Sequence, residues 1–539
     1  MTDTSFWYKN AVFYQVYPRS YYDSNDDGYG DFQGLIQKLD YIRDLGVDCI
    51  WIMPTYKSPL RDDGYDISDF YSVDKRFGTL DDLKQLFSEI HKRGMRVITD
   101  LVLNHCSDQH HWFQEARKDP KSKYRDYFVW SDTDTKFPET RVIFVDSQKS
   151  NWTWDEAAGA FYWHRFYPSQ PDLNFDNPEV REEMKNVMRY WLDMGIDGFR
   201  ADAVPYLFER EGTINENLPE THAYLKELRA MMDSEYPGTI LLCEANQWPA
   251  DVRAYFGDGD EFQLGFHFPM MPRIFMSIGK QDASSLIEIM KATPEIPENC
   301  QWCTFLRNHD ELTLEMVTEA DRQWMWAHYS PDKAMRMNLG IRRRLYPLLE
   351  NDRQRVGLAY SLMFTLPGSP VVYYGDEIGM GDDISQFDRN GVRTPMQWND
   401  GKNGGFSASD TTYLPAIEAG PFGFPRVNVA NQQDDPNSNL NWLKRLIAIR
   451  KGSEALAHGS LEWLTEGECI PVLAFKRQTP GDMVYVIHNL SDQEERIDIP
   501  FEAGCYADLV QPDFSITAPL STALKLPPRS FYWLRKLSQ

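Results

Sequence analysis

The sequence predicts an α/β chain: a (β/α)8 TIM barrel with a subdomain inserted after the third strand and an antiparallel β-sandwich domain at the C-terminal end. Three observations carry this. Short apolar runs alternate with longer amphipathic stretches over most of the chain. The alternation breaks after position 105 and resumes at 178. Beyond 456 only short alternating runs remain. Strands separated by helices require a parallel sheet. A closed barrel of that kind takes about 250 residues as one unit, so 539 residues suggest two or three domains.

The strand-like runs lie at 12–17, 49–53, 96–101, 198–202, 240–244, 303–306 and 370–374, with a weak eighth at 261–266. Amphipathic stretches at 80–92, 180–194, 222–232 and 353–364 repeat apolar residues every three to four positions, the period of a helix with one buried face. The barrel is therefore assigned to 1–105 and 178–455. The segment 106–177 is rich in Trp, Tyr, Asp and Pro without helical period and reads as the inserted subdomain. Residues 456–539, with alternating runs at 483–488, 496–499 and 530–534, read as the small β domain. Residues 311–352 are long for a strand-to-helix connection and rich in bulky side chains, so they read as a lid. The Gly-, Asp- and Asn-rich stretch 376–439 is a long loop, a kind that is usually functional or disordered.

The hydrophobic fraction of 42% is ample for large cores, and the formal net charge of −25 argues against nucleic acid or an anionic membrane as partner. No apolar run reaches the ~18 residues of a spanning helix; 356–366 comes nearest and reads as a buried helix. Seven cysteines, an odd and scattered set, indicate neither a disulfide framework nor a zinc site. The opening MTDTSFWYKN has no charged region followed by an apolar stretch, so no signal peptide and a cytoplasmic location are expected. Aromatics make up 14% of the chain, which suits stacking on sugar faces, although large cores use aromatics too.

Chemistry in such barrels sits where strands end at the carboxyl face. Three runs stop on an acid: GFRAD at Asp202, ILLCE at Glu244 and TFLRNHD at Asp310. Strand alternation puts Arg200 on the side of Asp202, where a guanidinium keeps a nucleophilic carboxylate ionised. Glu244 follows an apolar approach whose desolvation raises its pKa, as a proton donor requires. Glycosyl transfer with retention uses such a pair, about 5–5.5 Å apart. Asn104 and His105 close the run DLVLNH, and His309 precedes Asp310.

These residues resemble the α-amylase superfamily of glycoside hydrolases and transglycosylases. Its four signature regions occur in order as DLVLNH (100–105), GFRAD (198–202), Glu244 after ILLC, and LRNHD (306–310). The resemblance implies Asp202 as nucleophile, Glu244 as general acid/base and Asp310 as the acid that grips sugar hydroxyls. It places Asp62, Tyr65, His105, Arg200 and His309 around the non-reducing glucose, with Arg393 of RTPMQW pairing with Asp62 or the sugar, and Gln148 of the insertion touching substrate. Within the superfamily, the segments RADAVPYLFEREGT, CEANQWP, GDGDEFQLGFHFPMMPR and NHDELTLEMVT resemble trehalose synthases, which implies interconversion of maltose and trehalose with some glucose lost to hydrolysis. An isomerase must exclude water while the freed glucose turns, and the lid at 311–352 fits that need. An α-glucosidase, or another α-transglucosylase with secondary α-amylase activity, is the alternative with the same triad. An inactive amylase-like protein is the non-enzymatic one. A homo-oligomer and a maltokinase partner are compatible with the resemblance and decided by nothing in the sequence.

One or two structural Ca²⁺ sites are expected. DSNDDGYGD sets oxygens at alternate positions, Asp23, Asn25, Asp27 and Asp31, with the Tyr29 carbonyl between, as in a loop wrapped around Ca²⁺. Gly34 stands where an EF-hand needs its bidentate Glu, so this is not an EF-hand. The second site is implied by the resemblance: Asn104, Asp172 and Glu209 with the Tyr206 and Leu207 carbonyls, all hard oxygen ligands.

Overall fold

Eight parallel strands close the barrel of the computed structural model, which describes residues 4–518 and 523–537. They are β1 (Phe13–Val16), β2 (Cys49–Ile52), β3 (Arg96–Val102), β4 (Gly198–Asp202), β5 (Ile240–Cys243), β6 (Leu264–Phe266), β7 (Gln301–Phe305) and β8 (Ser369–Tyr373). Each pairs with its neighbour in chain order, and β8 returns to β1 with Val371 against Phe13. Every residue of β1, β2, β4, β5, β7 and β8 is buried. Barrel strands have side chains inside and helices outside, so they appear as unbroken apolar runs instead of alternating ones. β6 has three residues, which is why its signal in the sequence is weak.

The helices follow their caps. α1 (Leu80–Lys92) opens on a capping box between Thr79 and Asp82 and buries Leu83, Leu86, Phe87 and Ile90 on one stripe. α2 (Pro178–Asp193) starts with Asn177 accepting from the Glu179 N–H and proline in its first turn. α3 (Pro219–Glu235) begins three residues before its sequence pattern because Pro219 is tolerated in a first turn. In α4 (Arg353–Thr365) every residue from Val356 onward is buried, which accounts for the apolar run there. Among the described residues no helix is long and apolar enough to cross a membrane.

Between β3 and β4 the chain makes a helix, His111–Lys118, and a small antiparallel sheet of Trp130–Ser131, Ala160–Trp163 and Trp152–Asp155. A bridge of His105 to Asp172 ties this insertion to the end of β3, and one of Phe128 to Leu173 braces it internally. After Asp310 comes a second excursion: Leu312–Thr313, the helix Glu319–Tyr329, and the hairpin Arg336–Met337 with Gly340–Ile341.

The C-terminal domain is a six-stranded antiparallel sheet with a two-stranded ribbon, Glu495–Asp498 and Ala523–Leu526, on its outer face. Alternation splits its side chains. Leu473, Phe475, Val484, Val486 and Trp533 join the barrel core. Val472, Ala474, Tyr485, Ile487 and Leu534 pack outward against Ile499, Phe501, Leu524 and Leu526. Trp533 is wholly buried at the joint, and its indole N–H donates to Ser361 Oγ of α4 at 2.7 Å. Trp533→Ala is expected to destabilise the protein by about 3–5 kcal/mol, read as an earlier transition in a urea melt.

Candidate active site

The carboxyl ends of the strands converge on a cavity of about 140 Å³. Asp202 ends β4 and Glu244 directly follows β5. Asp310 lies just past β7, His105 past β3, and Asp62 and Tyr65 past β2; all six side chains line the cavity. Its apolar wall is Ile143, Phe144, Phe166, Tyr206 and Phe268, and Asn246, Glu311, Glu315 and Arg389 complete it.

Arg200 lies immediately beneath this wall, 1% exposed. One of its terminal nitrogens contacts Asp202 at 2.7 Å and Asp100 at 2.5 Å, and the other touches Glu244. Strand register arranges this, because Asp100 of β3 stands directly opposite Arg200 of β4. Asp100 is also bonded by the Trp51 indole at 2.6 Å. Three largely desolvated acids around one buried cation are not all stable as carboxylates. Burial pushes Glu244 up to about 8, against the pull of Arg200, and burial also raises Asp202. The hydrogen bond between these two carboxyls favours the proton on Glu244 and the charge on Asp202. One neutral acid and one carboxylate face the same cavity.

The opposite side is cation-rich. Burial would raise Asp310, but the hydrogen bond from the neutral His309 ring and the charges of Arg389 and Arg393 hold it well below the usual carboxylate range. The contacts are 3.1 Å to His309, 2.9 Å to Arg389 and 3.0 Å to Arg393. Asp62 accepts from Arg389 at 2.7 Å and from Gln170 at 2.9 Å, and burial pushes it up to about 6. Burial keeps His309 neutral, far below the usual imidazole range. Its ring stacks on Tyr65 and hydrogen-bonds both the Tyr65 hydroxyl and Gln15. Burial drops His105 to about 3, and its Nε2 has no protein partner, which suits it to bind a ligand hydroxyl.

Two expectations are corrected. Arg393 does not pair with Asp62: it reaches Asp63 and the His309 carbonyl besides Asp310, and Arg389, four residues earlier, takes Asp62. Both arginines belong to one loop, and the turn Asn390–Val392 between them aims them at different acids. Gln148 is absent from the cavity wall, and its side chain donates to Ser147 Oγ at 3.4 Å. The insertion reaches the cavity with Ile143 and Phe144 instead, because the turn that follows carries 148 away to the surface.

The residues missed were Asp100, Arg389, the aromatic wall, Asn246, Glu311 and Glu315. Asp100 had a usable signal, a charge inside an apolar strand. Arg389 had one in the arginine pair of DRNGVR. The aromatics had none beyond their abundance. The second excursion meets the insertion at the cavity rim: Arg141 of the insertion bridges Glu216 at 2.8 Å and Glu315 at 3.1 Å. Arg307, buried behind Asp310, donates to the carbonyls of Asp310 and Arg343 and so clamps both ends of that excursion.

Of the expected metal ligands, Asn104 Oδ1, Asp172 Oδ2 and Glu209 Oε1 are buried oxygens without hydrogen-bond partners. Burial pushes Asp172 up to about 7 and raises Glu209 well above the carboxylate range. Hard oxygens left unsatisfied together fit a calcium ion. In the loop 23–31, Asp23 accepts from the N–H groups of Asn25, Asp26 and Gly28 and from Ser407. Asp31 accepts from Ser24 and caps the next helix at Gly34. Asn25 and Asp27 accept from the N–H groups of Asp27 and Tyr29. Among the described residues no three His, Cys, Asp or Glu side chains come together as a metal-holding group.

Residues 15–340 and 341–459 match the family model of the α-amylase catalytic domain, and 462–533 match that of the maltogenic amylase C-terminal domain. The chain is 52% identical to a trehalose synthase/amylase of Mycolicibacterium smegmatis over 99% of its own length and 93% of that protein. It is 49% identical to a trehalose synthase of a Pimelobacter species over 98% and 96%. Its structure is similar to the trehalulose synthase MutB from Pseudomonas mesoacidophila, with a TM-score of 0.79 and 29% identity over 99% of each chain.

For an α-glucoside with a poor leaving group, bond cleavage needs the proton on Glu244. The kcat/KM profile is therefore expected to fall above about pH 8, where that proton is lost. It also falls on the acid side as Asp202 takes up a proton. A profile still rising beyond pH 9 (roughly one unit past that value) sinks the assignment.

Proposed function

The chain belongs to the α-amylase family and, within it, to the trehalose synthases, and from that premise we infer how its cavity interconverts maltose and trehalose. Glu244 gives its proton to the glycosidic oxygen while the Asp202 carboxylate attacks the anomeric carbon. The bond to the departing glucose breaks and a glucosyl ester of Asp202 forms. The freed glucose turns in place and presents its own anomeric hydroxyl. That oxygen attacks the ester carbon, Glu244 takes the hydroxyl proton, and Asp202 leaves as carboxylate. Two inversions retain configuration, and maltose has become trehalose. Water attacking instead yields two glucose molecules.

Asp310, held ionised by its arginines, grips hydroxyls of the glucosyl ring and stabilises positive charge in the transition state. Asp62, Tyr65 and His105 line the same part of the cavity and bind that ring. Arg200, His309 and Arg393 act from behind by fixing the acids, and Arg389 does so from the cavity wall. The observation that carries the reading is the single Arg200 guanidinium shared by Asp100, Asp202 and Glu244, because it leaves one acid protonated and one charged in one cavity.

We propose a structural calcium ion at Asn104, Asp172 and Glu209, supported by their unpartnered oxygens, with the Tyr206 and Leu207 carbonyls completing it. Bound there, the ion would fasten the insertion to the barrel and take no part in bond exchange. We extend the proposal to the 23–31 loop, where the ion would replace backbone donors at Asp23 and Asp31. Seven free cysteines, five of them buried, support a cytoplasmic location. Self-association and a maltokinase that consumes maltose are further proposals, tested by light scattering and by the effect of added kinase on maltose turnover.

Incubation with maltose and separation of the products is expected to give trehalose with minor glucose; glucose alone overturns the reading. Asp202→Ala is expected to lower kcat by about 10⁴-fold or more. Chelator treatment is expected to lower Tm by on the order of 5 °C, with bound metal counted before and after.

A further inference from the structure

A cavity that must shield a glucosyl ester from water must also admit a disaccharide, and the contacts around its rim are unequal. On one side Arg342 donates to the carbonyls of Ile384, Gln386 and Asp388, and Arg343 pairs with the buried Asp382 at 2.9 Å. That side is held by several bonds at once. On the other side the hairpin of the second excursion turns through Asn338 and Leu339, and its tip meets the inserted subdomain through a single residue. The Asn338 N–H donates to Asp146 Oδ2 at 2.6 Å, and its side-chain amide donates to Glu311 Oε1 at 3.0 Å.

Asp146 is exposed and belongs to the insertion, whereas Glu311 lines the cavity directly after Asp310. Asn338 therefore joins an outer loop to the inner wall. It holds a φ of 48°, a left-handed conformation that asparagine tolerates better than most residues. The hairpin strand Gly340–Ile341 also pairs with Leu312–Thr313, so movement of the tip is transmitted to the strand between Glu311 and Glu315. Ties made by one exposed residue open first.

We propose that the contact of Asn338 with Asp146 and Glu311 is the latch of the cavity, and that it sets how often water instead of the freed glucose attacks the glucosyl ester. Asn338 and Asp146 are positioning residues, since neither touches the reacting atoms. The inference rests on the interconversion reading: while the ester waits, each opening of the latch admits water, and each water that attacks turns one disaccharide into two glucose molecules.

Asp146→Ala removes the partner across the rim at an exposed position, and Asn338→Gly keeps the φ and the N–H while removing the bond to Glu311. The measurements are the ratio of glucose to trehalose formed from maltose at equal conversion, Tm, and hydrogen exchange of the amides at 336–341. In Asp146→Ala the ratio is expected to rise about two- to fivefold, the scale of one exposed charge-assisted hydrogen bond. Exchange at the hairpin quickens and Tm stays within about 2 °C. Asp146→Asn, which keeps an acceptor oxygen, restores most of the native ratio. Asn338→Gly raises the ratio as well. Unchanged exchange overturns the latch, and faster exchange with an unchanged ratio overturns its role as the seal. A native protein that makes no trehalose at all would instead refute the interconversion itself, while the exchange measurement would still decide whether the hairpin is latched.

Discussion

The guanidinium of Arg200 is almost wholly buried, and the site is built around that fact. A buried arginine is tolerated only with partners, and removing one partner of such a pair costs about 3–5 kcal/mol. Here the partners come from the three adjacent strands: Asp100 from β3, Asp202 from β4 and Glu244 from the end of β5. Register makes the meeting possible. Asp100 stands opposite Arg200, Cys243 stands opposite Ala201, and the Glu244 N–H donates to the Ala201 carbonyl at 3.1 Å. A slip of one residue in β4 would turn Arg200 and Asp202 out toward the helices. The barrel thus does more than carry the acids, because its hydrogen-bond ladder decides which of them share a cation.

The two halves of the cavity treat acids in opposite ways. Around Arg200, carboxylates outnumber cations, so a proton is retained and Glu244 is its holder. Around Asp310, Arg389 and Arg393 share the load of Asp62, Asp63 and Asp310, and Arg19 adds a further contact to Asp63 at 2.8 Å. Asp310 can therefore stay charged although buried. One kind of residue serves as proton donor, nucleophile and electrostatic anchor according to the ratio of cations within reach.

The strand ends bearing Asp202 and Glu244 were readable because parallel barrel strands leave unbroken apolar runs that stop at the functional face; β4 spans the very residues its pattern marks. The convergence of Asp202, Glu244 and Asp310 on one cavity was legible for the same reason. What was not legible lies in loops without period. Arg389 sits 79 positions from Asp310, and nothing in the spacing says which of two nearby arginines meets Asp62. Gln148 failed because a short turn decides whether a loop residue points inward. Asp100 was passed over because its neighbours marked it as strand, while its partner Arg200 is adjacent only through the sheet register. Phe144, Phe166 and Phe268 reach one wall from three segments, a convergence that composition cannot show.

Enclosure links the two halves of the chemistry. Desolvation lifts Glu244 to about 8, and the same desolvation keeps water from the glucosyl ester. These cannot be tuned apart. A cavity loose enough to admit water would also hydrate Glu244, lower its proton affinity and weaken it as an acid at neutral pH. An enzyme of this design that leaks toward hydrolysis should therefore also lose proton-donating strength, so the second excursion supports bond cleavage as well as product choice. Arg141, bridging Glu216 and Glu315, holds that enclosure from the insertion side. The pKa of the acid and the fate of the intermediate are then two readings of one property, the dryness of the space above Arg200.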